Sequence, residues 1–177
     1  AIMQSTAAHT PALREMEEAD AVFILGEDVT QTAPRIALAL RQAVKTLAVK
    51  MAADNRIPDW QIAAVQHIGQ RQKSPLFVAG FSSTRLDDVA DAIDGNAPAV
   101  PDLSDEYLVA AQRIAQALLS AQKPLVVSGT GAASEAILHA AANIAAALHR
   151  TGKIPSLALC VPEVNSLGVA MLKADSV

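Results

Sequence analysis

Aromatic side chains are scarce in this sequence. They make up 3% of 177 residues: three Phe, one Trp and one Tyr. Hydrophobic residues nevertheless reach 51%, so Ala, Leu, Val and Ile must carry the core. Such a composition suits helices packed on a sheet better than a β-sandwich. Basic runs are missing too. The formal net charge is −4 and the pI about 5.5. Without a Lys/Arg-rich stripe there is no electrostatic footprint of a nucleic-acid binder, and none of a protein held on an anionic membrane face. No apolar run approaches the ~20 residues that span a bilayer. No charged segment leads into a cleavable apolar one, as a secretion signal would. The expectation is a cytoplasmic protein with no nucleic-acid partner and no membrane insertion.

Cysteine is nearly absent. Cys160 stands alone, which excludes an internal disulfide. One thiolate cannot hold an iron–sulfur cluster or a structural zinc. It lies in the apolar run Leu157-Ala-Leu-Cys-Val161 and reads as a small buried residue. A reactive thiol needs a base and an electropositive setting, and neither is visible. The chain opens without methionine and stops at Ser176-Val177. We expect an excerpt of a longer polypeptide, with an arm over residues 1–12 and one α/β domain over 13–177. That domain divides into βα units at 13–72, 73–122 and 123–177.

What is present is strand–turn–helix punctuation. Asp20-Ala-Val-Phe-Ile-Leu-Gly-Glu-Asp-Val-Thr-Gln-Thr32 is an apolar run that ends in glycine and leads into an amphipathic helix. Leu13 to Glu18 reads as a short helical turn before it. Thr32 reads as an N-cap with Pro34 in the first turn. Ile36, Leu40, Ala43, Val44 and Leu47 share one face, and Arg41 and Lys45 lie opposite. Asp54 to Trp60 breaks the pattern. Lys73-Ser-Pro-Leu-Phe-Val-Ala-Gly80 and Lys123-Pro-Leu-Val-Val-Ser-Gly129 are two similar proline-led strands. Their spacing leaves room for a crossover helix. Asn96 to Pro101 reads as a loop. Ser104 reads as the cap of a helix with the apolar stripe Leu108, Ala111, Ala115 and Leu118. A second helix starts near Ser134, buries Ile137, Ala141, Ile144 and Leu148, and stops at Gly152. Leu157–Val161 is a fourth strand, ended by Pro162.

The strands at 21–25, 76–79, 125–128 and 157–161 are nearly continuous in apolar residues, as strands covered on both faces are. The expected fold class is α/β: a doubly wound, mostly parallel sheet with helices on both faces.

Candidate chemistry is sparse. Gly129-Thr-Gly131-Ala-Ala-Ser134 is the nearest approach to a dinucleotide loop, whose glycines let backbone N–H groups reach a pyrophosphate. Ser134 stands where the third glycine belongs, and no ribose-binding acid follows at the expected distance. The adjacent acids Glu27 and Asp28 fall at the carboxyl edge of the sheet, where ligands bind. They suit a partner, a phosphate-bound Mg²⁺, or a solvated or hydrogen-bonded turn. His139 and His149 lack the i, i+4 spacing of a metal pair. His9 falls in the arm and His67 in a connecting segment. Asp87, Asp88, Asp91 and Asp94 lack the EF-hand pattern and read as a solvated helix end. Ser82, Ser83 and Ser128 sit near strand ends without a nucleophile elbow.

Seven segments resemble one family. They are Leu13-Arg-Glu-Met-Glu-Glu-Ala-Asp-Ala-Val, Leu25-Gly-Glu-Asp-Val-Thr-Gln-Thr-Ala, Leu38-Ala-Leu-Arg-Gln-Ala-Val, Asp59-Trp-Gln-Ile-Ala-Ala, His67-Ile-Gly-Gln-Arg, Thr84-Arg-Leu-Asp-Asp and Val164-Asn-Ser-Leu-Gly. In this order they resemble the large G subunit of bacterial NADH-quinone oxidoreductase, respiratory complex I. The wider superfamily is the molybdopterin oxidoreductases, in which the turn after the first strand lies near the pterin.

The resemblance implies a formate-dehydrogenase-like domain that has lost the molybdenum centre, with iron–sulfur clusters in upstream modules rather than here. It implies a catalytically inert structural domain within an electron-transferring complex. It also implies contacts with other subunits of the peripheral arm, on the cytoplasmic side of the inner membrane. A vestigial pocket would involve Gly26, Glu27, Gly129, Thr130 and Asn165. Two other readings remain: a molybdopterin- or nucleotide-binding domain that keeps its cofactor, and a free-standing interaction module. The family carries a longer segment between Thr84-Arg-Leu-Asp-Asp88 and Asn96-Ala-Pro-Ala-Val100 than the Val89–Gly95 found here.

Overall fold

A computed structural model of the chain describes residues 8–80, 82, 84–94, 105–161, 163 and 168. Among these the elements run α1 (Leu13–Glu17), β1 (Ala21–Leu25), α2 (Val29–Thr32), α3 (Pro34–Ala43), α4 (Thr46–Asp54), α5 (Ile62–Gly69), β2 (Leu76–Gly80), β3 (Asp91–Asp94), α6 (Asp105–Ser120), β4 (Pro124–Gly129), α7 (Glu135–Arg150) and β5 (Ser156–Cys160). The five strands form one sheet in the order β3-β2-β1-β4-β5. Every pairing is parallel. Phe23 lies opposite Phe77 on one side and Val126 on the other. His9 adds a parallel bridge to Ser156 beside β5.

Alternate residues of β1, β2, β4 and β5 feed opposite faces. Val22, Ile24, Leu76, Val78, Leu125 and Val127 pack against Met16 of α1 and Ala37, Leu40 and Ala43 of α3. Ala21, Phe23, Phe77, Val126 and Leu157 pack against Ile114 and Leu118 of α6 and Ala141, Ala145 and Leu148 of α7. Both faces are covered, so β1, β2, β4 and β5 are apolar at nearly every position rather than at every second one. This is the doubly wound α/β arrangement that the apolar runs predict. Small side chains on the helices, Ala37, Ala43, Ala141 and Ala145, let them lie close to the sheet.

Several local expectations need correction. The helix after β1 is not capped by Thr32. Asp28 caps the short α2 by accepting the Thr30 N–H at 3.0 Å, and α3 starts afresh with Pro34 in its first turn. The long helix predicted to reach Leu47 breaks after Ala43. Buried Ser74 causes the break: its N–H donates to the Val44 carbonyl at 2.9 Å, and its Oγ accepts the Leu47 N–H at 3.0 Å. One serine thus satisfies groups that two helix ends leave open.

The acidic stretch is not a helix end. Asp91–Asp94 is the edge strand β3, with Asp91 opposite Phe77 and Asp94 opposite Gly80. Asp87 closes a turn with Thr84, whose Oγ1 donates to Asp87 Oδ1 at 2.9 Å. Asp88 receives both terminal nitrogens of Arg41, each at 2.9 Å. The Arg41 guanidinium holds the Asp88 carboxyl below its ordinary range. Leu86, within the Thr84–Asp87 turn, is fully buried, and its N–H donates to Thr84 Oγ1 at 3.2 Å. The segment Thr84-Arg-Leu-Asp-Asp88 is therefore a structural clamp on α3.

On α6 the apolar face is rotated from the one expected. Ile114 and Leu118 are buried, while Leu108, Ala111 and Ala115 face solvent. α6 is rich in Ala and Leu on more than one side, so periodicity alone does not fix its phase. On α7, Ala141 and Leu148 are buried as expected, and Ile137 and Ile144 are half-buried. Gly152 follows α7 at φ +84°, with its N–H on the His149 carbonyl at 2.9 Å. His67 lies within α5 rather than in a connection. Ser83, Ser104, Pro162 and the Asn96–Pro101 loop lie outside the described residues.

Candidate functional site

The sheet order fixes where a site can lie. The chain leaves β1 towards β2 on one side and leaves β4 towards β5 on the other. The carboxyl ends of β1 and β4 therefore flank the crevice where doubly wound sheets take their ligands.

Gly26 ends β1 at φ +68°. That left-handed conformation favours glycine, and its N–H is spent on the Ala79 carbonyl at 2.7 Å. The turn delivers Glu27 into the crevice, where it is only 4% exposed. Glu27 Oε2 accepts the Gly131 N–H at 2.9 Å, and Oε1 accepts the Thr32 hydroxyl at 2.9 Å. The fit is close. A β-carbon at Gly129 would lie 2.0 Å from Glu27 Oε2 and 2.7 Å from the Cys160 carbonyl oxygen. One at Gly131 would lie 2.6 Å from Glu27 Oε1.

The neighbours complete the arrangement. The Thr130 N–H donates to the Cys160 carbonyl at 3.2 Å, which ties the glycine turn to β5. Buried Ser128 donates its hydroxyl to the Leu25 carbonyl at 2.8 Å, a bond across the strand pair and not a poised nucleophile. Cys160 is buried. Burial, reinforced by the negative charge of Glu27, pushes its thiol up to about 12. At neutral pH the thiol is held protonated, which makes it a poor nucleophile.

The structure brings together four of the residues singled out in the sequence, Gly26, Glu27, Gly129 and Thr130. Asn165 lies outside the described residues. The paired acids are split. Glu27 turns inward, whereas Asp28 spends its carboxylate on α2, taking the Thr30 N–H and, at 2.5 Å, the Thr30 hydroxyl. Gly131 joins these four from the glycine loop marked in the sequence, and Thr32 is the contributor that the sequence pattern does not single out. Thr32 is hidden by its resemblance to a helix cap.

A cofactor of the phosphate-bearing type does not fit this arrangement as it stands. The inner face of the Gly129–Gly131 turn, where its phosphate would lie, is filled by the Glu27 carboxylate. Among the described residues, no three His, Cys, Asp or Glu side chains come together as a metal site. His9 pairs with Glu15 at 3.1 Å and His139 with Glu135 at 3.3 Å. A shallow depression does lie near the start of β4, lined by His9, Glu15, Glu18, Lys123, Ile154 and Ser156. Its Lys123 ammonium is bound to Glu18 at 2.6 Å.

Fold and site define a doubly wound α/β domain whose ligand crevice is stopped by one of its own side chains. No family model matches the chain. Whole-protein relatives do. Over 195 residues, and across 99% of its own length, it is 48% identical to the G subunit of NADH-quinone oxidoreductase from Pseudomonas putida. It is 46% identical to the corresponding G subunit from Shewanella oneidensis and 44% to that from Escherichia coli K12, again across 99% of its length. The chain is homologous to a segment of these G subunits, spanning 21–22% of the length of these relatives. The alignments run over 194–195 residues against a chain of 177, so the relatives carry residues with no counterpart here. Among the described residues, no helix is long and apolar enough to cross a membrane.

Proposed function

We propose that this segment is a non-catalytic structural domain of the G subunit in an NADH-quinone oxidoreductase. It is one α/β unit over residues 13–177, preceded by the arm at 1–12. It works as part of an assembly that passes electrons from NADH to quinone, and other segments of the polypeptide hold the iron–sulfur clusters. Its partners are neighbouring subunits of the peripheral arm, on the cytoplasmic side of the membrane.

The observation that carries this reading is the inward-turned Glu27. The crevice that serves catalysis in doubly wound enzymes is occupied by a side chain with both oxygens hydrogen-bonded. The buried thiol of Cys160 beside it is held protonated. The remainder of the domain is a covered sheet whose polar contacts, such as Arg41–Asp88 and Ser74 on Val44 and Leu47, serve cohesion. A cohesive body contributes surface and spacing rather than reacting groups.

The test separates assembly from turnover. Thr130→Ala and Cys160→Ser alter the crevice without unpacking the sheet, and Ile24→Asp puts a charge in the core. In the intact complex the first two are expected to leave electron transfer per assembled complex unchanged. Ile24→Asp is expected to lower the amount of assembled complex. A fall in turnover per assembled complex in Thr130→Ala or Cys160→Ser would overturn the structural reading.

A further inference from the structure

The turn from Gly129 to Gly131 has the form of a loop that receives an oxyanion. It closes β4 at the switch point of the sheet, and it runs into α7, a helix of 16 residues whose N-cap Ser134 makes no side-chain cap bond. Such loops use glycines because the anion comes within contact of the backbone itself. Here an anion is already in contact with it. The Glu27 carboxylate takes the Gly131 N–H and the Thr32 hydroxyl, one on each oxygen, at 2.9 Å. It presses against Gly129 and Gly131 so closely that neither position has room for a β-carbon.

We propose that Glu27 is the built-in occupant of an oxyanion site: the Gly129–Gly131 turn grips this carboxylate where a phosphate group would otherwise sit, and the domain is kept free of phosphate-bearing ligands by its own side chain. This rests on the structural-domain reading and says how that state is maintained. Three features support it. The donor set, one backbone N–H and one hydroxyl, is the kind that carboxylate and phosphate oxygens share. The plug is tethered to the end of β1, so its effective concentration at the turn is set by a short linker and outcompetes a free ligand of equal intrinsic affinity. Asp28, the other acid at this edge, is turned onto Thr30, which leaves Glu27 as the group that enters the crevice.

The test uses the full-length polypeptide that carries this segment. Inorganic pyrophosphate is titrated into the unaltered protein, Glu27→Ala and Glu27→Gln by calorimetry, with orthophosphate and ADP as separate arms that distinguish a single phosphate, a diphosphate and a nucleotide. The unaltered protein is expected to show no saturable uptake at the turn. Glu27→Ala should bind pyrophosphate at least about tenfold more tightly. Glu27→Gln keeps the shape and folds with the plug in place, but its neutral acceptor is weaker. The Gly131 amide should therefore exchange with deuterium about tenfold faster in Glu27→Gln.

A folded Glu27→Ala that, like the unaltered protein, shows no saturable binding overturns the plug and leaves the structural reading standing. Unaltered protein that binds as tightly as Glu27→Ala overturns both. If Glu27→Ala does not fold, an unchanged Gly131 exchange rate in Glu27→Gln overturns the plug by itself.

Discussion

Replacing Gly131 by alanine tests the contact between the two central turns directly. The added methyl would stand 2.6 Å from Glu27 Oε1 and 3.0 Å from Cδ and Oε2, with no other atom among its three nearest neighbours. The carboxylate must retreat, and its bonds to the Gly131 N–H and the Thr32 hydroxyl go with it. A hydrogen bond to a charged group contributes about 1.5–3 kcal/mol. Gly131 itself is exposed, so water recovers part of the loss. Removing a glycine also stabilises by about 0.4–1 kcal/mol through the unfolded chain where the backbone permits. The balance is a cost of about 1–2 kcal/mol.

In a Glu27→Ala background the obstacle is gone, and the same substitution should cost nothing or stabilise slightly. The expected coupling is about 2 kcal/mol, well above the ~0.5 kcal/mol scatter of independent sites. Gly129→Ala is the control. Its methyl meets the Cys160 backbone oxygen at 2.7 Å, so its damage persists in both backgrounds. Urea unfolding followed by circular dichroism measures all six proteins. Equal costs for Gly131→Ala with and without Glu27 would refute the reasoning.

Four other outcomes are expected. The Cys160 thiol, raised to about 12 and buried, should resist a thiol reagent at pH 8 and react only as fast as the protein unfolds; rapid labelling of native protein would contradict its burial. Gly152→Ala forces φ +84° on a residue with a β-carbon in otherwise open space, so it should cost about 1–2 kcal/mol. Conversely Gln70, which ends α5 in the left-handed region, should stabilise by roughly 0.5–1 kcal/mol as glycine, and denaturant midpoints check both. Finally, burial raises the Asp20 carboxyl, but the N–H groups of Lys123 and Gln122 outweigh it and leave the group below its ordinary 3.8. A depressed folded pKa stabilises above the unfolded value and is lost as pH falls through the folded one. Acid unfolding below about pH 4 should therefore be shallower in Asp20→Asn than in the unaltered chain.

The central strands were legible because burial on both faces writes itself as unbroken apolar runs. β3 was not. Asp91-Ala-Ile-Asp94 has acids at both ends and little apolar signal, and an edge strand can do with pairing on one side. The break between α3 and α4 was hidden for another reason: the residue that makes it, Ser74, lies 27 positions beyond Leu47. The phase of α6 failed because Ala and Leu occupy several of its sides. At the site, the turns after β1 and β4 could be marked from their glycines. Their joining could not, since Glu27 and Gly131 are 104 residues apart and meet only once β1 lies between β2 and β4. Strand order is a global property, and local patterning does not encode it.

The central place of β1 sets a timetable for synthesis. One of its edges is paired by β2, which follows within about fifty residues, but the other waits for β4, which begins at Pro124. At ribosomal speeds of about 5–20 residues per second, the open edge of β1 stays without its partner for some ~5–20 s. Val22-Phe-Ile-Leu25 is apolar throughout, and an unpaired apolar strand edge is a template for wrong pairing. The nascent chain is therefore most vulnerable while the stretch between β2 and β4 is being made. Slow codons placed there would lengthen that exposure, and a chaperone that covers β1 would be needed in that interval and released when residues 124–129 emerge.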